Sequence, residues 1–351
     1  MAENGRYVEG SIWFFAPNKG APVFFAVAFL ASGIVHTWQN TRYKSWKLAG
    51  LFVLCAALFV AGFIVREVGA FNFGNLDVYI ASICLVYAAP PLYELCNYQI
   101  LGRILYYTPH LAPIHPGRVL TTFAAISAVV EALSGNGASL SSNQSAPQQT
   151  QDTGHALLKA ALLMQIFVIV AFMTLAGVFH VRCKRAGIQS AKLYGPLTTL
   201  YISTGLVTVR TIYRIVEYFS IAELHYGPGL DPMSLSPLIR YEWFFYVFEA
   251  TLMLCNTVLW NVRHPRRYLP ASTKIYLDKD NVTEITGPGY KDSRNFLATL
   301  FDPFDIYGLI KGRDRETAFW ENNRTEGPET KDGPKKDESK TVAEQDAARV
   351  V

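Results

Sequence analysis

Three charges stand where an apolar stretch should carry none. In Val209-Arg210-Thr211-Ile212-Tyr213-Arg214-Ile215-Val216-Glu217 the ionisable side chains are four and then three apart. A helix turning about 100° per residue puts all three on one face. A following apolar stretch carries Glu242 and Glu249, seven apart and also on one face, with Tyr246 between them. If the two stretches are antiparallel helices, Arg210 and Glu249 lie at comparable depth, and Glu242 comes near Glu217 and Arg214. An ionisable residue inside a membrane span costs about 2.5–3.5 kcal/mol on insertion scales, so such residues face other helices and pair, or line a polar cavity. Two readings stay open: the ions lock a helix bundle, or they hold the headgroup of an amphiphile. Two arginines against three glutamates leave one negative charge in excess, which suits an amine-bearing headgroup.

Other polar groups stand in apolar surroundings. Glu94 and Asn97 follow Pro90-Pro91, and Glu131 lies toward the outer end of another apolar stretch. The proline pair lacks two backbone donors and is expected to break its helix, leaving a hinge or a cavity wall.

The elements that position these residues read as membrane spans. Half the chain is apolar and 17% is charged, and the charge is uneven: residues 1–262 carry 16 Lys or Arg and 12 Asp or Glu, whereas residues 263–351 carry 16 of each. Spans need about 20 predominantly apolar residues. Seven stretches qualify: Pro22 to Trp38, Trp46 to Val68, Val78 to Leu101, Val119 to Leu133, Ala156 to Val181, Leu193 to Ala222 and Ile239 to Val262. The expected fold is all-α, a polytopic membrane protein of seven transmembrane helices. Its expected parts are an extracellular segment 1–21, a helical domain 22–262 and a charged cytoplasmic tail 263–351, disordered from about residue 322.

Lys and Arg in the connections set the orientation. Arg42, Lys44, Lys47, Arg103, Arg118, Arg182, Lys184, Arg185, Lys192, Arg263, Arg266 and Arg267 fall on one side, against Arg6, Lys19 and Arg66 on the other. This places the N-terminus outside and the tail in the cytosol. The first apolar stretch is too long for a signal peptide and is expected to remain as a helix. Asn143-Gln144-Ser145 lies in the cation-free connection Gly135 to Gly154, polar and Gln/Ser-rich from Ser139 to Thr153, where Asn143 is a candidate glycosylation site, while the sequons at Asn281 and Asn323 would sit unused in the cytosol. The segment Phe296 to Trp320 reads either as a membrane-surface helix or as a collapsed linker.

Several chemistries are disfavoured. The seven histidines are scattered, with no pair four apart on a span, so no metal site is legible. The last span lacks the lysine a retinal protein needs, and no phosphate-binding G-x-x-x-x-G-K-[ST] loop occurs. No catalytic residues or cofactor are expected, and the basic charge, spread between apolar stretches, gives no nucleic-acid stripe. The five cysteines read as apolar packers.

Tyr93-Glu94 through Gly102-Arg103, His115-Pro116-Gly117-Arg118, Arg210-x-x-Tyr213-Arg214-x-x-Glu217, Tyr241-Glu242-x-x-x-Tyr246-x-x-Glu249 and His264-Pro265 resemble the fungal lipid-translocating exporter, or RTA-like, family over roughly Ser11 to Tyr268. The resemblance implies a seven-span protein of the plasma membrane or vacuole linked to resistance to toxic amphiphiles such as sphingoid bases and aminosterols. Together with the polar groups read above, it leaves Arg210, Tyr213, Arg214, Glu217, Glu242, Tyr246, Glu249, Glu94, Asn97 and Glu131 as candidate substrate contacts. One departure stands out: where many members carry an acidic residue and then Gln in the fourth span, this chain reads Phe123-Ala124-Ala125-Ile126 and only later Glu131. The expected function is export or translocation of an amphiphilic lipid or lipophilic toxin, without enzymatic conversion. The alternatives are a receptor-like regulator of lipid asymmetry or lipid stress and, disfavoured by the absent metal constellation, a lipid-modifying enzyme.

Overall fold

The computed structural model describes residues 8, 11–13, 15, 17–142, 147–222, 236–287, 298, 301–302 and 304–312. Asn143, Asn323 and the tail from residue 322 lie outside them. Helices dominate: α1 Ala21–Arg42, α2 Trp46–Phe71, α3 Leu76–Tyr107, α4 Arg118–Ser142, α5 Gln148–Arg185, α6 Ala191–Ala222, the single turn α7 Pro237–Arg240, α8 Trp243–Phe245, a π-helical segment Tyr246–Thr251, α9 Leu252–Val262 and α10 Ile306–Ile310. The chain is therefore not wholly helical, since Ile275–Leu277 (β1) and Glu284–Thr286 (β2) form an antiparallel hairpin pairing Tyr276 with Ile285.

Among the described residues, six helical segments are long and apolar enough to cross a membrane: α1 to α5 and Trp243–Arg267. Helix α6 has 32 residues but is not among them, its apolar character diluted by the ionic residues read above. The chain is a polytopic helical membrane protein, and its surface bears this out. Phe24, Val27, Ile34, Trp38, Ile64, Phe71 and Phe167 are exposed along the helices, while Arg66, Glu94, Arg210, Glu242 and Glu249 are buried. A water-soluble protein would reverse this arrangement. In hydrocarbon every backbone N–H and C=O must be satisfied within the chain, which is why the apolar stretches become helices.

An aromatic spine holds α1, α2 and α3 together. Phe29 stacks on Phe59 at 4.3 Å, Phe25 on Phe63 at 5.3 Å, and Phe52 lies 5.9 Å from Tyr93 and 5.5 Å from Trp260 of α9. Small residues let backbones approach: a Cβ on Gly62 would come within 2.7 Å of Val86 Cγ2.

Three expectations need correction here. First, Pro90 and Pro91 lie inside an unbroken α3. They leave the carbonyls of Val86 and Tyr87 without their helical donors, but neighbouring helices support the segment, as is common for proline in membrane helices. Second, the polar connection expected from Gly135 to Gly154 is mostly helix, for α4 runs to Ser142 and α5 starts at Gln148. The 38-residue α5 is about 57 Å long, against a hydrocarbon core of about 30 Å. Its polar turns pair with those of α4 where a Cβ on Gly137 would meet Gly154 O at 2.9 Å. Polarity marked where lipid ends, not where the helix ends. Third, Arg66 is no loop cation: it lies in α2, 4% exposed.

The first residues of the expected tail pack against the bundle. Glu284 accepts from Tyr107 Oη at 2.6 Å and pairs with Lys192 at 2.7 Å. Asn281, at φ 62° in the hairpin turn, bonds His110 and the Ala186 carbonyl. Its sequon is thus engaged in packing.

Two outcomes are expected. Replacing Gly154 by Leu should force α4 and α5 apart and destabilise by about 1–3 kcal/mol, read as a lower unfolding temperature in detergent. Lys192 and then Tyr107 hold the Glu284 carboxyl below its ordinary range. Its contribution is therefore full above the ordinary carboxylate pKa and is lost as pH falls through the lowered one. Protection of the amides over 275–286, relative to their intrinsic exchange rates, should fall in acid, and Glu284→Gln should reduce that dependence.

Candidate functional site

Helix α6 and the π-helical segment that leads into α9 carry their charges toward each other. Arg210 Nε donates to both carboxylate oxygens of Glu249, at 2.9 and 2.8 Å, with side-chain exposures of 6% and 0%. The antiparallel arrangement inferred from spacing therefore brings this pair to one depth. One helical turn further on, Arg214 pairs with Glu217 of the same helix, donates to Tyr87 Oη at 2.8 Å, and lies 4.0 Å from the Tyr87 ring centroid. Tyr213 donates to Glu217 at 3.1 Å and stacks on Phe248.

Glu242 does not approach Glu217 and Arg214 as expected. It pairs with Arg66 of α2 at 2.7 Å, accepts from Tyr246 Oη at 3.0 Å and from the Asn18 amide at 2.7 Å, and is 1% exposed. Arg66 in turn lies 4.1 Å from the Phe245 ring centroid. The cause is the π-helical segment Tyr246–Thr251, which begins between the two acids and contains Glu249. One surplus residue rotates everything beyond it by about 100°. Glu242 and Glu249, aligned in a regular helix, are thereby sent to different neighbours, α2 and α6. The charge count changes accordingly. With Arg66 included, three arginines face Glu217, Glu242 and Glu249, and the seam has no negative excess.

Glu94 is the acid that the seam leaves over. It is 5% exposed and accepts from Gln165 Nε2 of α5 at 2.9 Å and from Tyr98 Oη at 3.1 Å. The Tyr98 hydroxyl also meets Ser127 Oγ of α4 at 3.1 Å. No cation bonds Glu94 among the described residues. Arg210, whose field reaches it, is committed to Glu249. Glu94, Ser127, Val130, Glu131, Gln165 and Val168 line a narrow cleft between α3, α4 and α5 that is too tight for a water molecule as it stands and would have to widen to admit a ligand, with Glu131 exposed on α4. Asn97, by contrast, turns away into a bonded chain, accepting from Ser203 at 3.1 Å while Ser203 accepts from Trp260 Nε1 at 3.0 Å. That chain ties α3, α6 and α9.

The candidate residues thus divide into a seam (Arg210, Tyr213, Arg214, Glu217, Glu249), a second ion cluster (Glu242, Tyr246) and a cleft (Glu94, Glu131), with Asn97 in a packing role. Sequence reasoning missed Arg66, Tyr87, Tyr98 and Gln165. Arg66 was legible, since Val65, Val68 and Gly69 continue the apolar stretch around it. Tyr87 and Tyr98, among 19 tyrosines, carried no distinguishing signal.

Residues 52–272 match the family described as RTA1 like protein. The chain belongs to the RTA1-like family. Among its relatives is the lipid-translocating exporter-like protein RTA1 of Leptosphaeria maculans, 43% identical over 320 residues, 88% of this chain and 61% of that protein. The chain thus spans less than two thirds of that relative's length. A protein of the same name from Ajellomyces capsulatus is 28% identical over 73% of this chain and 81% of its own, and the probable lipid transporter atnI of Emericella nidulans is 27% identical over 76% and 71%. No solved structure matches. The family match runs from α2 to just past α9, so it takes in every candidate contact.

The ion pairs differ in burial, and removing their members should differ in consequence. Arg210→Met or Glu249→Leu alone strands a buried charge and should cost about 3–5 kcal/mol, while the double replacement should recover most of that loss. Arg214→Gln, at a pair 20% and 15% exposed, should cost less. Unfolding of the purified variants in mixed detergent micelles measures all four.

Proposed function

We propose that the protein translocates an amphiphilic lipid or lipophilic toxin across the membrane without converting it chemically, and that the headgroup is held in the Glu94–Glu131 cleft, not in the α6–α9 seam. The observation that carries this reading is Glu94, a buried carboxylate bonded only by neutral donors, beside an exposed acid in a cleft. Buried ions are retained in spans where they are paired or where they serve passage. The seam ions are paired; Glu94 is not. A primary amine or ammonium headgroup would supply the missing charge and donors, and its chains would remain in lipid between α4 and α5. This fits the exporter and transporter names of the relatives and the amphiphile resistance implied by the family.

In this reading α6 crosses with the others, giving seven spans, its charges satisfied by α9 and Tyr87. The cations at the ends of α3, α5 and α9 and at the start of α4 favour a cytoplasmic tail and an outward N-terminus. The membrane we assign is the plasma membrane, where export removes the amphiphile from the cell.

Replacing Glu94 by Gln preserves shape and most hydrogen bonding while removing the charge. In proteoliposomes carrying a fluorescent sphingoid base and a fluorescent phospholipid, wild-type protein should accelerate flux of the amine probe, and Glu94→Gln should reduce it at least tenfold with unchanged unfolding temperature. Equal flux by the variant sinks the headgroup assignment. Resistance in cells with no flux by the wild-type protein would mark a regulator instead.

A further inference from the structure

One cytoplasm-side feature has no role in the cleft or the seam. Arg118, the first residue of α4, is bonded to Asp305 at 2.9 Å, and both side chains are buried, at 8% and 4% exposure. Asp305 lies 187 residues along the chain, in the charged stretch beyond α9. The local chain is built to present it. The Asp302 carboxylate accepts from the amides of Ile306 and Tyr307 at 2.8 and 3.0 Å, starting α10. Asp305 adopts φ 51°, a conformation that side-chain-bearing residues rarely take. Gly308 is buried directly against its carboxylate, where a Cβ would collide. A buried ion pair adds little net stability but fixes register, because its alternatives leave a charge unpaired.

The outward side of this clipped segment is apolar. Phe301 and Ile310 are 84% and 80% exposed, and Phe304, Ile306 and Tyr307 are exposed beside them, with Lys311 closing the helix over the Tyr307 ring. Its depth is set by Arg118. The apolar stretch Val119 to Leu133 begins at the next residue, which puts the ion pair near the level where hydrocarbon gives way to headgroups. Ile310 is then only about 8 Å away along the helix axis. Apolar and aromatic side chains at that level, next to a cation, match an interfacial membrane contact.

We propose that residues 301–312 form an anchor seated on the bilayer surface, held in register by the Arg118–Asp305 pair. The occupant of the apolar face is lipid at the headgroup–acyl boundary.

The test uses the full chain in lipid nanodiscs, with the exposed Cys84 and Cys255 replaced by Ala and a nitroxide label at Ile310→Cys or, as a control, at Val282→Cys, which is 81% exposed on the hairpin. Collision rates with oxygen, which partitions into lipid, and with a water-soluble nickel chelate report the surroundings. The label at 310 should favour oxygen several-fold, and that at 282 should favour nickel. Asp305→Asn should shift the 310 label toward nickel, and Arg118→Asp combined with Asp305→Arg should restore the original ratio. Water-like collisions at 310 in the parent protein overturn the proposal. So do low collisions with both reagents, which mean that protein covers the face. An unchanged ratio in Asp305→Asn overturns the role of the ion pair.

Discussion

A charge taken into hydrocarbon must take its counter-charge with it, and the architecture of the bundle follows from that requirement. Arg210 and Glu249 bind α6 to the last span, and Arg66 and Glu242 bind α2 to the start of the same span and to the N-terminal segment through Asn18. These contacts join elements far apart in sequence, where loops supply no constraint. Apolar packing alone does this poorly in a membrane, because lipid tails are as apolar as leucine. Aromatic stacking between α1, α2 and α3 supplies shape; the ion pairs supply rotation and depth. Helix α6 illustrates the exchange: it carries three charges along one face, answered by Glu249 and Tyr87 of neighbouring elements and by its own Arg214–Glu217 pair.

Satisfying those charges also isolates Glu94. Once Arg210, Arg214 and Arg66 each have a carboxylate, the remaining buried acid meets neutral donors from α3 and α5 and a cleft bordered by Glu131. On the proposed reading, stability and ligand recognition fall to different residues only a few helical turns apart. The seam can be rigid while the cleft exchanges its occupant.

Much of this was legible in the chain. Apolar length located the helices, and antiparallel geometry placed Arg210 against Glu249 before any coordinates. What failed were the inferences that assumed regularity. Glu242 was assigned to the wrong neighbour because sevenfold spacing presumes an unbroken α-helix, and a π-helical turn leaves no sign in residue type. The proline pair signalled a break that tertiary support in α3 overrides. The Gln- and Ser-rich residues after Gly135 signalled a loop because they are polar, whereas helix-to-helix packing at Gly137 and Gly154 needs only small size. The role of Glu94 depended on which acids already had partners, which only the folded bundle could reveal.

The π-helical segment has a further consequence. A surplus residue in a helix is not bound to one place: it can be handed from one turn to the next by exchanging a few hydrogen bonds, while both ends of the helix stay where they are. Only the stretch it passes would turn. In this span that stretch carries Tyr246 and Glu249, so a migrating bulge would swing Glu249 off Arg210 without any hinge or domain movement, giving the protein a way to open an internal bond inside an otherwise fixed envelope.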